Sequence, residues 1–406
     1  MDADELQAWL RLTLTPGVGN VSARKLLAAF GLPQSVFEQP ARLLSQVVSS
    51  AQAQALCEVP DELAALLVST QAWLARDEPH GMRRVVATLG DPSYPQALLN
   101  LDDPPLMLYL LGRASFKPFV PLDHTQQAQG AIEDESVLHV DPQRSVAMVG
   151  SRNPTPQGAG NARAFAQALV QAGATVVSGL ALGIDGAAHE GALAAAASPH
   201  LGATVAVVGT GLDRVYPRAH RDLAHRIAEH GLLVSEYPLG TPPLNANFPK
   251  RNRLIAGLAQ GTLVVEAALK SGTLITARLT NEQGKEVFAV PGSIHAAQSR
   301  GCHALIKQGA TLVESAQDVL DALNWASQPA KVSTLGAVSA DTASAESLFD
   351  AEVEVLQAIG FDPVGLDALQ ARTGLDAPTL QAQLMLLELQ GQVASLPGGL
   401  FQRQAS

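Results

Sequence analysis

Seven short apolar runs recur between Ser145 and Val313: "SVAMVG" (145), "ATVVSG" (174), "ATVAVVG" (203), "LLVSE" (232), "TLVVEA" (262), "EVFAV" (286) and "ATLV" (310). Most are separated by helix-length segments. Runs with so few polar positions suit strands buried on both faces, and their alternation with helices predicts a mostly parallel sheet covered on both sides. The expected fold class is therefore α/β, a doubly wound Rossmann-like sheet. That plan confines ligand chemistry to one edge, because ligands sit beyond the carboxyl ends of the strands, where strand order reverses.

The residues predicted at that edge are small and rich in free N–H groups. Gly150, Ser151 and Arg152 follow the first run, Ser178 and Gly179 the second, Gly209, Thr210 and Gly211 the third, and Lys270, Ser271, Gly272 and Thr273 the fifth. Glycine lets a backbone approach phosphate oxygens, a helix N-terminus offers unpaired donors, and an arginine adds a bidentate one. The alternative is that these glycines only make tight strand-to-helix turns. A dinucleotide site is disfavoured, since neither "VGSRNPTPQGAG" nor "VGTGLDRVYP" completes G-x-G-x-x-G.

A second basic feature lies at "NFPKRNRLIAG". Phe248 precedes Lys250, Arg251 and Arg253 at the predicted start of an apolar helix, so an aromatic ring stands beside three cations. That combination suits a nucleic-acid backbone with a base stacked alongside. Which cation would meet phosphate and which would brace the fold is left open by the sequence.

The formal net charge of −11 speaks against a nucleic-acid partner until it is resolved along the chain. Residues 145–316 carry 14 Lys and Arg against 10 Asp and Glu, a net +4, whereas the remainder carries 13 against 28, a net −15. An anionic ligand is thus expected on the middle segment.

With these residues in place, the segment resembles the DNA processing protein A family, also called DprA or Smf. The matching stretches are "GDPSYPQALLNLDDPPLMLYLLG" (90), "VAMVGSRNPTPQG" (146), "VSGLALGIDGAAHEGAL" (177), "VVGTGLDRVYP" (207), the run from Ser235 to Ala277, "VFAVPG" (287) and "GCHALIKQGA" (301), in family order. The resemblance implies an extended Rossmann domain that dimerises. It also implies binding of single-stranded DNA and loading of the RecA recombinase in natural transformation, without catalysis or a cofactor. Carried over by motif, it implies DNA contacts at Gly150, Ser151, Arg152, Ser178, Gly179, Phe248, Lys250, Arg251 and Arg253; Gly211 and Lys270–Thr273 enter from their place at the strand ends. Asp185 and Asn252 are expected to be internal hydrogen-bonding residues. The competing class is a nucleotide or phosphoribo-hydrolase on the same scaffold. Such enzymes need an acid in the turn where this chain has Leu274, Ile275 and Thr276.

The flanks read as further modules. Residues 1–80 are helical in pattern, and "LTPGVGNVSARKLLAAFG" (14) resembles a helix-hairpin-helix, either presenting N–H groups to a phosphate or serving as a plain helical hairpin. Residues 81–326 form the Rossmann-like unit, with an acidic insert at 116–144. A Ser/Ala-rich linker at 327–345 leads to a winged-helix pattern at 346–406. That last unit holds two basic residues, Arg372 and Arg403, against eight acidic ones, and its third helix has no Lys or Arg, so it is expected to meet protein rather than a DNA groove. Cys57 and Cys302 are expected to be reduced, buried thiols, with no metal site. No export signal or membrane span is recognised, so a cytoplasmic location is expected.

Overall fold

A computed structural model describes residues 1–116, 138–195, 202–325, 355–360 and 363–404. All seven predicted runs are strands of one sheet: β5 (Ser145–Val149), β6 (Thr175–Ser178), β7 (Thr204–Val208), β8 (Leu232–Ser235), β9 (Gly261–Val264), β10 (Glu286–Ala289) and β11 (Thr311–Leu312). Two strands that the periodicity does not predict, β1 (Arg83–Thr88) and β2 (Met107–Gly112), extend it as an antiparallel pair beside β8. A separate parallel pair, β3 (Ala114–Phe116) with β4 (Leu138–Val140), flanks the insert, whose central part lies outside the described residues, as does the linker.

The sheet order is β1-β2-β8-β7-β6-β5-β9-β10-β11, and the pairs from β8 to β11 are all parallel. The chain moves outward from β5 through β6 and β7 to β8, then returns to the other side of β5 as β9. The reversal of strand order therefore lies between β5 and β9, and the loops after those two strands border one crevice.

Burial explains the apolar runs. In β5, Val146 and Met148 join a core beneath the helices Pro156–Gln171 and Ile184–Ala194, while Ala147 and Val149 join the opposite core beneath the helix Asn247–Gly257. Both faces of the strand are thus apolar, as a two-sided parallel sheet requires. Fully burying a large apolar side chain contributes roughly 1.5–3 kcal/mol.

The N-terminal helices close onto the antiparallel edge. Trp9, Leu10, Leu26 and Trp73 share a core with Val86, Met107 and Tyr109 of β1 and β2, and Trp73 meets Tyr109 edge-on at 5.8 Å. In the helical hairpin Ala3–Leu14 and Asn20–Phe30, Gly17 has φ +74, Val18 is buried, and Gln52 Nε2 donates to the Gly17 carbonyl at 2.7 Å. Asn20 Nδ2 donates to Glu236 Oε1 at 3.0 Å, so the hairpin turn faces carboxylates.

The C-terminal part is a winged helix. Helices Leu366–Thr373 and Ala377–Leu389 pack with a segment at 355–359 around Leu369, Leu380 and Leu384, and the hairpin Val393–Leu396/Leu400–Arg403 completes it. The expectation for the cysteines is half corrected. Cys302 is buried, but Cys57 is exposed, because it lies on the outer side of its short helix. Among the described residues no helix is long and apolar enough to cross a membrane, and no His/Cys/Asp/Glu group suits a metal.

Candidate nucleic-acid interface

Two adjoining clefts open at the carboxyl edge. One, of about 540 Å³, lies between the loops after β5 and β9 and is lined by Gly150, Ser151, Arg152, Asn252 and Lys270 among others. The other, of about 90 Å³, lies toward β7 and is lined by Leu180, Gly209 and Tyr216. Phe248, Arg152 and Arg251 border both.

Glycine in the first loop is required by packing. A Cβ on Gly150 would come 2.5 Å from Ile184 Cγ1, so its absence lets the helix Ile184–Ala194 approach β5. That helix start is tied down by Ile184 N–H donating to the Ser151 carbonyl at 3.0 Å.

The helix N-terminus that follows is also satisfied internally. Thr155 Oγ1 accepts from the Gly158 N–H at 3.0 Å, and the buried Glu266 carboxylate accepts from Thr155 N–H at 3.0 Å and Thr155 Oγ1 at 2.5 Å. Glu266 thus complements the positive helix end from within. Its pKa is pushed up by burial, an effect offset in part by the two Thr155 bonds. Arg152, by contrast, is exposed, and its guanidinium stands 5.8 Å from the centre of the Phe248 ring.

The second and third turns face inward. Ser178 is buried and donates to the Met148 carbonyl at 2.6 Å. Gly179 leaves room for the Asp185 carboxylate and the Arg251 guanidinium, which an added Cβ would meet at 2.3 Å and 2.8 Å, and His189 Nε2 donates to its carbonyl at 2.5 Å. Gly211 packs against Asp213 and the Pro238 carbonyl and borders neither cleft. In the fifth turn, Thr273 Oγ1 donates to the Gly150 carbonyl at 2.9 Å, joining the two loops across the crevice, while Lys270 and Gly272 are exposed and Ser271 is half-buried.

The three cations of "FPKRNR" diverge because consecutive helix positions turn about 100°. Lys250 faces solvent. Arg251 is 5% exposed; its guanidinium donates to the Val207 carbonyl and sits beside Asp185. Burial pushes the Asp185 pKa up against the opposing pull of Arg251, and Oδ2 accepts the Ala181 N–H at 3.3 Å. Arg253 turns the other way, pairing with Glu236 Oε1 at 2.5 Å on the carboxylate that also receives Asn20. Asn252 remains at the cleft wall.

The helix carrying these residues has no side-chain N-cap and no acid in its first turn, so Lys250 adds positive charge at its positive end. An arriving anion would relieve that arrangement. At the other end, Lys285 Nζ donates to the Ala256 and Gly257 carbonyls at 2.9 Å each, and burial pushes its pKa down to about 8.

Tyr216, which sequence reasoning did not single out, stands beside Phe248. The ring centres are 5.6 Å apart with the planes tilted by 32°, and Tyr216 is 48% exposed. It lies within "VVGTGLDRVYP", where nothing local separates a stacking tyrosine from a turn residue.

The family described as DNA recombination-mediator protein A matches residues 135–324, and that described as DprA winged helix domain matches 339–399. Protein Smf of Synechocystis sp. (strain ATCC 27184 / PCC 6803 / Kazusa) is 33% identical over 428 residues, spanning all of both chains. Protein Smf of Escherichia coli K12 is 42% identical over 280 residues, 68% of this chain and 72% of that one. The X-ray structure of DNA processing protein A from Streptococcus pneumoniae superposes with a TM-score of 0.59 at 32% identity, covering 79% of this chain and 98% of that one.

Proposed function

The chain belongs to the DNA recombination-mediator protein A (DprA/Smf) family, and from that premise we propose that it binds single-stranded DNA along the two clefts and loads RecA recombinase onto it, without catalysis. The observation that carries this reading is the row formed by exposed Tyr216, half-buried Phe248 and exposed Arg152 along the two clefts. Unstacked bases offer faces to such a row, and a duplex does not. Phosphate contacts are assigned to Arg152, Lys250 and Lys270, with backbone donors from Ser151 and Gly272; the Ser271 and Thr273 N–H groups donate to the Ala268 carbonyl and Ser271 Oγ and hold the turn. Gly150, Ser178, Gly179, Gly211, Arg251 and Arg253 shape and brace the site.

We assign residues 1–80 to an N-terminal helical unit, 81–326 to the DNA-binding unit and 346–406 to a winged helix that meets protein. The chain acts in this reading as a cytoplasmic homodimer in the processing of incoming DNA. The test is competition between oligothymidine and duplex of equal length at low salt. Strong preference for the strand supports the reading, and equal affinity overturns it.

The hydrolase alternative would have to draw its acid from Asp185, which lines the larger cleft but faces Arg251 and the Ala181 N–H. Turnover of nucleoside monophosphates, abolished by Arg152→Ala, would establish that alternative.

A further inference from the structure

The smaller cleft shares Leu180 and Val208 with a third groove of about 630 Å³, lying between the helix Arg221–His230 and the end of the helix Leu63–Leu74. Its walls hold five arginines, Arg76, Arg84, Arg214, Arg218 and Arg221, against two carboxylates, Glu78 and Asp213. Arg84 is neutralised by Glu78 and lies over the Trp73 ring at 5.0 Å, and Arg214 pairs with Asp213 at 2.8 Å. Arg76, Arg218 and Arg221 are exposed and form no ion pair among the described residues. Uncompensated cations converging on one groove, in a chain of net charge −11, mark a place where an anion is favourable. The floor between them is apolar, with Leu111, Leu212 and Leu233.

We propose that a DNA strand held at Phe248 continues past Tyr216 into this groove and sets phosphates against Arg76 and Arg221. The binding surface then includes the N-terminal helical region, which supplies Arg76, as well as the sheet's own helix, which supplies Arg221. Continuity with the Phe248 cleft favours a nucleic-acid backbone over an acidic protein surface as the occupant. The inference rests on the single-strand reading of the Phe248 site.

The experiment uses the full chain and oligothymidines of about 4 and about 16 nucleotides, the two ends of the range occupied by single-strand platforms. Anisotropy titrations over a salt series compare wild type with Arg76→Ala, Arg221→Ala and the double variant, each checked for an unchanged melting temperature. The expected result is wild-type affinity for the short strand and a loss of about tenfold or more per substitution for the long one. The log-log salt slope for the long strand should flatten by about 0.7 per arginine removed. Wild-type affinity and slope of the double variant on the long strand overturn the proposal and leave an acidic protein as the groove's occupant. If the wild-type chain binds neither strand, the Phe248 reading itself fails. If it binds the short strand while the variants are indistinguishable on the long one, only the extension fails.

Discussion

Tyr216 and Phe248 stand 5.6 Å apart, ring centre to ring centre, although one comes from the loop after β7 and the other from the first turn of the helix Asn247–Gly257, with thirty-one residues between them. Both act on one base in the proposed complex, so their contributions are expected to couple. Each alanine substitution should weaken oligothymidine binding by roughly 1–3 kcal/mol while leaving the salt slope nearly unchanged, because stacking releases few counterions. The double variant should lose less than the sum of the two single losses. Additive losses in a double-mutant cycle would show that the rings do not share a base.

The cations of "FPKRNR" should separate by phenotype. Lys250→Ala and Arg152→Ala are expected to flatten the single-strand salt slope by about 0.7 each at constant melting temperature. Arg253→Ala leaves the Glu236 carboxylate, with a side chain 9% exposed, without its ion-pair partner. Removing one partner of a buried pair typically destabilises by about 3–5 kcal/mol, so the loss should appear in thermal unfolding. Arg251→Ala should likewise unfold early, since Asp185 loses the cation beside it. Unchanged melting of both variants would return these arginines to the ligand.

Gly150→Ala tests what the first loop is for. The added methyl collides with Ile184, and overpacking of a filled core costs about 1–3 kcal/mol. Stability should fall, and Ile184→Ala in the same chain should recover part of it. A stable Gly150→Ala chain with weakened DNA binding would instead place phosphate directly on the glycine.

His189 sets an acid limit. It is fully buried between the Gly179 carbonyl and Thr204 Oγ1, and burial pushes its pKa down to about 4 from the ordinary 6.5. The unfolded chain therefore binds the proton first on acidification, so this contribution is complete above pH 6.5 and is lost as pH falls toward 4. The loss is on the order of 3 kcal/mol at the acid end. A thermal-melting profile between pH 7 and 4 should steepen by one proton relative to His189→Gln. Identical profiles would assign the acid sensitivity to other groups.

Much of the fold is legible in the amino-acid sequence. The strands β5 to β11 announce themselves because a strand buried on both faces tolerates few polar residues, and small residues and glycines mark its exits. The edge strand β1 is harder to read. "RRVVAT" opens with two arginines, since the sheet edge leaves Arg83 exposed and folds Arg84 onto Trp73 and Glu78. An edge strand carries weaker patterning than a central one.

What the sequence by itself determined was the alternation, and with it the doubly wound sheet, the edge at which chemistry gathers, and the basic character of the middle segment within an acidic chain. Tertiary structure alone decided which polar groups at that edge are available. Lys250, Arg251 and Arg253 are near neighbours in sequence, yet a helix rotates each onto a different face; only the packing of the helix against β7 and against the N-terminal hairpin makes Arg251 and Arg253 internal and leaves Lys250 in solvent. Gly150 and the helix start after it show the same division. Their type and spacing are what an anion site requires, but Ile184 and Glu266, thirty-four residues after the glycine and one hundred and sixteen after it, occupy the space and the hydrogen bonds. Local sequence states what a residue can offer, and partners distant in the chain decide whether the offer is still open.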